Sequence, residues 1–145
     1  MIGKAIYDIL ANDTDVASLV GTSIFPNVNY LDDRTYPYIA YHHLAEEAND
    51  TKTGAGNSPI HGVSTLNVAK IQVNCFNKTK FQLEELAEYA RIALDRNSGT
   101  YNGVKLQSIQ FENQNDTFNF EGYQDFDGIF QIALIFSCRY EPYNG

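Results

Sequence analysis

Apolar residues recur along this chain in two rhythms, and the switches between them sketch its elements. Ile2, Ile6, Ile9 and Leu10 fall at helical spacing, with Lys4, Tyr7 and Asp8 on much of the other side. This predicts a short amphipathic helix over 2–11. A second short helix is expected over 15–20, with Val16, Leu19 and Val20 as its stripe. Asp13 or Thr14 can cap it and Gly21 can end it. The best helical pattern covers 80–95, where Leu83, Leu86, Ala87, Ala90 and Leu94 share one face. Thr79 and Gln82 have the spacing of a capping box there.

Period-2 segments alternate with these helices. Ile24, Phe25 and Pro26 suggest a short extended piece. Residues 37–44, PYIAYHHL, read as a strand with Tyr38, Ala40 and His42 on one side and Ile39, Tyr41 and His43 on the other. In VAKIQVNCF, 68–76, Ile71, Val73 and Cys75 alternate with polar residues, as in a half-buried strand. Val104 and Leu106 are out of phase with Ile109 and Phe111, so a bulge near Gln107–Ser108 is expected in the strand 104–111. The last strand, 126–140, carries apolar residues in both phases, as an interior strand does.

Polar stretches fill the intervals at 27–36, 45–67 and 112–124. The middle one reads as a flexible arm or an extended hairpin, because a structureless loop of that length is uncommon inside a compact domain. The expected architecture is α+β, with 1–145 as one domain. A single mixed, mostly antiparallel sheet of about four to five strands carries two to three helices on one face, plus the arm at 45–67.

Composition narrows the function. The net charge is −8, with 10 basic residues against 18 acidic ones. Such a chain repels phosphates, so high-affinity nucleic-acid binding is not expected. It contains 10 Tyr and 9 Phe but no Trp. Tyrosine suits interfaces, having an apolar ring and a polar tip. No stretch reaches the length of a membrane span. The opening MIGKAIYDILAND lacks an export signal, so a soluble, unexported protein is expected. The two cysteines, Cys75 and Cys138, lie in strand-like segments and read as buried thiols, although one disulfide stays open as an alternative.

Candidate chemistry is sparse. Dinucleotide, P-loop, zincin and nucleophile-elbow motifs are all missing. The glycines of Gly54-Ala55-Gly56 lie in a polar loop, where they give flexibility. His42 and His43 are adjacent on a strand, so they point to opposite faces and cannot easily share a metal. Cys75 falls on an apolar face, which disfavours a thiolate. Glu46 with Glu47, and Glu84, Glu85 and Glu88, read as solvated carboxylates. Neither catalytic residues, cofactor nor metal is expected.

Four segments carry a resemblance to a known family: IYDILANDTDVASLVGTSIFPN at 6–27, YPYIAYHHL at 36–44, IQVNCFNKTKFQLEELAEYARIALD at 71–95, and VKLQSIQFENQNDTF at 104–118 followed by the long terminal strand. In order and spacing they resemble the tail-completion or tail-terminator proteins, the small head–tail joining subunits of long-tailed phages. The resemblance implies a small α+β domain with no enzymatic activity. It implies a virion protein at the head-proximal end of the tail, assembled in the host cytoplasm. It also implies a homo-oligomer, commonly a hexameric ring, that caps the tail tube, joins it to the head–tail connector protein and lets DNA pass. Two alternatives remain: another phage ring protein, such as a head-completion adaptor or a tube subunit, or a small ligand-binding domain or enzyme using His42 or His43.

Two polar segments are the expected contacts with neighbours. The interface candidates are Glu46, Glu47, Asp50, Lys52 and His61 in the arm, and Asn115, Phe118, Phe120 and Tyr123 in 112–124. The acidic candidates for a ring bore are Glu46, Glu47 and Asp50, then Asp116, Glu121 and Asp125, with Asp127 beside them.

Overall fold

A computed structural model describes residues 2–27, 35–48, 67–120 and 128–141. The chain enters through α1 (Ile2–Asn12) and α2 (Thr14–Val20) and then β1 (Ile24–Pro26). The hairpin strands β2 (Tyr38–Ala48) and β3 (Asn67–Asn77) follow, then α3 (Lys80–Leu94), β4 (Gly99–Tyr101), β5 (Val104–Phe120) and β6 (Gly128–Tyr140).

The capping chemistry differs between helices. Asp13 Oδ1 accepts the Val16 N–H at 3.0 Å, as its position before α2 suggested. Gly21 closes α2 with φ of 59° and donates its N–H to the Ala17 carbonyl at 2.8 Å. A side chain there would be strained. The capping box of α3 does not form, since Thr79 makes no side-chain cap bond. Gln82 Oε1 instead accepts the Asn77 amide at 3.4 Å, because the last residue of β3 lies close enough to take it.

The strands form one sheet in the order β1-β2-β3-β6-β5-β4. Only β1 and β2 run parallel; every other neighbouring pair is antiparallel. Helices α1, α2 and α3 pack on one face. The core joins Ile6, Ile9, Leu10, Leu83, Leu86 and Leu94 of the helices to Ile39, Ile71, Val73, Cys75, Ile132, Leu134, Phe136 and Cys138 of the sheet. Burial of this kind, at about 25 cal/mol per Å² of apolar surface, is the main favourable term in the fold.

Six strands replace the expected four to five, because the sheet has a three-residue piece at each edge. The missed one is β4. It turns through Asn102 and Gly103, at φ of 50° and 82°, straight into β5. Asn-Gly is the preferred two-residue hairpin turn, so the signal was present.

The polar loop expected at 112–124 is corrected as far as Phe120. Residues 112–120 continue β5, with Asn113, Asn115, Thr117 and Phe118 paired to Ile135, Ala133, Gln131 and Phe130. Asn and Asp disfavour strands in isolation, but the apolar partner strand overrides that preference. The expected bulge appears between Leu106 and Ser108, and a second lies between Phe111 and Asn113. At its two ends the segment 45–67 continues strands, as the extended-hairpin alternative expected. Residues 45–48 belong to β2, where Glu46, Glu47 and Ala48 pair with Ala69, Val68 and Asn67. The span 49–66 lies outside the described residues.

The two caps should separate in stability. Asp13→Ala is expected to cost about 1 kcal/mol by urea denaturation. Thr79→Ala should cost clearly less, since its side chain caps nothing.

Candidate functional site

Polar side chains gather in three places, and most of them find partners locally. The first lies where β2, β3 and β6 end together. The Tyr140 hydroxyl donates to Glu46 Oε1, and the Asn67 amide donates to Glu46 Oε2 at 2.7 Å. His43 Nε2 sits 3.2 Å from Glu46 Oε1. A shallow, largely apolar recess beside it is lined by Ile2, Gly3, His43 and Glu46. Burial, then the Glu46 contact, pushes the Tyr140 phenol up from its ordinary 10.0 to about 12. Asn67 Oδ1 is buried with no hydrogen-bond partner.

The second lies on the sheet face opposite the helices. Asn74 is almost fully buried. Its Oδ1 accepts from Gln72 at 2.7 Å and from Gln131 at 3.0 Å, and its amide lies 3.3 Å from His42 Nδ1. At one end of this face Tyr38 stacks on Phe76 with centroids 4.7 Å apart, and Phe25 meets Tyr38 edge-on. His42 and His43 therefore face opposite sides of the sheet, as strand alternation requires. Among the described residues no group of three His, Cys, Asp or Glu could hold a metal ion.

The third runs between α3 and β5. Lys80 Nζ holds Asp116 Oδ2 at 2.9 Å, and that bond keeps the Asp116 carboxyl below its usual range. The Arg91 guanidinium lies 4.0 Å over the Phe111 ring. Apolar side chains stand in the open nearby: Phe81 is 87% exposed and Ile92 67%. Leu44, at the irregular step of β2, is 45% exposed.

Both cysteines are free and buried. Cys75 stands opposite Ile132 and Cys138 opposite Ala69, so six ladder steps, about 20 Å, separate them. No disulfide can span that distance. Burial raises each thiol from 9.0 to about 12, with the Glu112 charge adding to the shift at Cys138. Burial of this kind disfavours the thiolate at neutral pH.

The sequence candidates separate in space. Glu46 and Glu47 lie on β2, and Asn115, Asp116, Phe118 and Phe120 on β5, three strands away. Among the described residues, those two groups are not brought together within one chain. Asp50, Lys52, His61, Glu121, Tyr123, Asp125 and Asp127 lie outside the described residues. Phe81 and Ile92 were missed, because they interrupt the polar side of the α3 pattern; that interruption was the available signal.

Stability should fall at high pH. Cys75, Cys138 and Tyr140 stay neutral in the fold up to about 12, while in the unfolded chain they ionise from about 9 and 10. Their contribution is complete below pH 9 and is lost as pH rises toward 12. The urea midpoint should decline across that window, and Tyr140→Phe should flatten the part above pH 10. A thiol reagent at pH 8 should label neither cysteine until the protein unfolds.

The family described as "Tail completion protein gp17" matches residues 4–137. A chain of the solved "Virion of native gene transfer agent (GTA) particle" shares the fold, with a TM-score of 0.66 and 18% identity over 94% of this chain and 92% of that one. No curated protein matches. Among the described residues, no helix is long and apolar enough to cross a membrane. The chain belongs to the tail completion protein gp17 family: it is a structural protein of a phage-type virion tail, not an enzyme.

Proposed function

We propose that this protein is a ring-forming tail terminator, a domain spanning 1–145 that caps the tail tube and joins it to the head connector. The observation that carries the reading is the family match over 4–137. The fold shared with a chain from a phage-like particle is consistent with it. A ring needs two different patches on each subunit meeting around an axis, and a hexamer is the expected count. Phe81, Ile92 and Leu44 are exposed apolar side chains available to a neighbouring subunit.

The net charge of −8 suits a bore that must not hold DNA. Within the two acidic clusters, Glu46 is bonded to Tyr140 and Asn67, and Asp116 to Lys80. The bore assignment therefore rests chiefly on Glu47, Asp50, Glu121 and Asp125. The arm with Lys52 and His61, and the strand end and turn with Asn115, Phe118, Phe120 and Tyr123, are the proposed contacts with neighbouring subunits, tube and connector.

Replacing residues 51–60 with a short Gly-Ser linker should leave the far-UV circular dichroism unchanged. Electron microscopy of lysates from a phage carrying that change should show separate full heads and tails. Normal joined particles would refute the role of the arm. Long cylinders formed by the purified wild-type protein would reassign it to the tube.

A further inference from the structure

We propose that neighbouring subunits join by antiparallel strand addition, with the outer edge of β5 over residues 114–120 pairing with the outer edge of β2 over residues 43–48 of the next copy. The inference rests on the ring reading above and names the contact that would build the ring.

Both edges are open among the described residues. β1 covers β2 only at Ile39, Ala40 and Tyr41. β4 covers β5 only at Val104, Lys105 and Leu106. Farther along β5, Ile109 O accepts the Arg96 N–H at 2.8 Å and Asp95 Oδ1 accepts the Phe111 N–H at 3.0 Å. From Asn113 onward no described strand lies outside it.

The ladder identifies which backbone groups face outward. Phe111 donates away from β6, so its pair with Phe136 is not hydrogen-bonded. Pairs alternate along an antiparallel ladder. After the bulge at Glu112, Gln114, Asp116 and Phe118 therefore turn their N–H and C=O outward. On β2, Ile39 and Tyr41 bond outward to Ser23 and Asn27. The same alternation, corrected for the irregular step at Leu44, turns His43, Glu46 and Ala48 outward. Each edge thus offers three residues with paired donor and acceptor.

Several features favour a second copy as the occupant. The free runs have similar length. They lie on opposite sides of the sheet, as a head-to-tail contact requires. Counting across β3 and β6, β5 runs opposite to β2, so placing one edge on the other gives an antiparallel pair without any rotation. The outward residues of β5 include neither lysine nor proline, and the one charge among them, Asp116, is already paired with Lys80. Leu44 stands exposed beside the β2 edge.

The contact also predicts a geometry. Asp116 is level with Ile39 through Ile132 and Cys75, whereas Glu46 is level with Ile109 through Ala69 and Cys138. Joining the two free runs displaces each neighbour by about six ladder steps, ~20 Å along the strands. A closed ring then needs strands tilted to its axis, as barrel strands are. Upright strands would climb into an open filament instead.

The test uses two edge-blocked variants of the full chain, Leu44→Lys with Ala48→Pro on β2, and Gln114→Pro with Phe118→Pro on β5. Proline at an outward-facing edge position removes no bond of the subunit's own ladder. By light scattering, wild type should form oligomers and each variant should be monomeric. An equimolar mixture should give one-to-one dimers and nothing larger, since each partner keeps one free edge. Variants that assemble like wild type would overturn the edge contact and leave the ring reading standing. Wild type that stays monomeric at all concentrations and leaves no ring on tails would remove both. Amide exchange on wild type guards against misfolded variants. The outward amides of 114, 116, 118, 43, 46 and 48 should be protected in the oligomer and lose protection on dilution, and their fast exchange within an intact oligomer would overturn the contact.

Discussion

The pairing of β3 with β6 organises the molecule. These two strands lie at the centre of the sheet and run in register from Asn67–Tyr140 to Asn77–Phe130. One face of the ladder is Ala69, Ile71, Val73 and Cys75 against Ile132, Leu134, Phe136 and Cys138, and the helices close over it. A one-residue slip would turn this apolar set to the other face, so the register is strongly specified. The faces of β2 and β5 follow from it, as does the burial that keeps both thiols protonated.

The same constraint decides where the polar groups near the sheet find their partners. The polar groups drawn toward the sheet are consumed by one another: Glu46 by Tyr140 and Asn67, Asn74 by Gln72 and Gln131, Asp116 by Lys80. Satisfied networks of this kind rigidify a fold. Among the described residues, backbone at two sheet edges and a few apolar side chains stay open, the materials of assembly.

Edge length connects the fold to assembly. β2 and β5 outrun β1 and β4, and the overhangs fall at opposite corners of the sheet.

The sequence by itself determined the core faces, all three helices and the bulge at Gln107, because each rests on periodicity, and periodicity is a local property of the backbone. It also placed the two cysteines on a buried face. Only the tertiary structure decided that ENQNDTFNF, 112–120, is a strand, since its partner is the apolar run of β6, to which it must be joined by a turn before the pairing counts. The same holds for Glu46 and Glu47, whose polarity reads as loop until Tyr140 and Asn67 arrive from distant strands to satisfy Glu46. Position along an edge is likewise invisible to a linear pattern. Which strand lies outermost, and how much of it is left uncovered, depends on neighbours that only folding brings together.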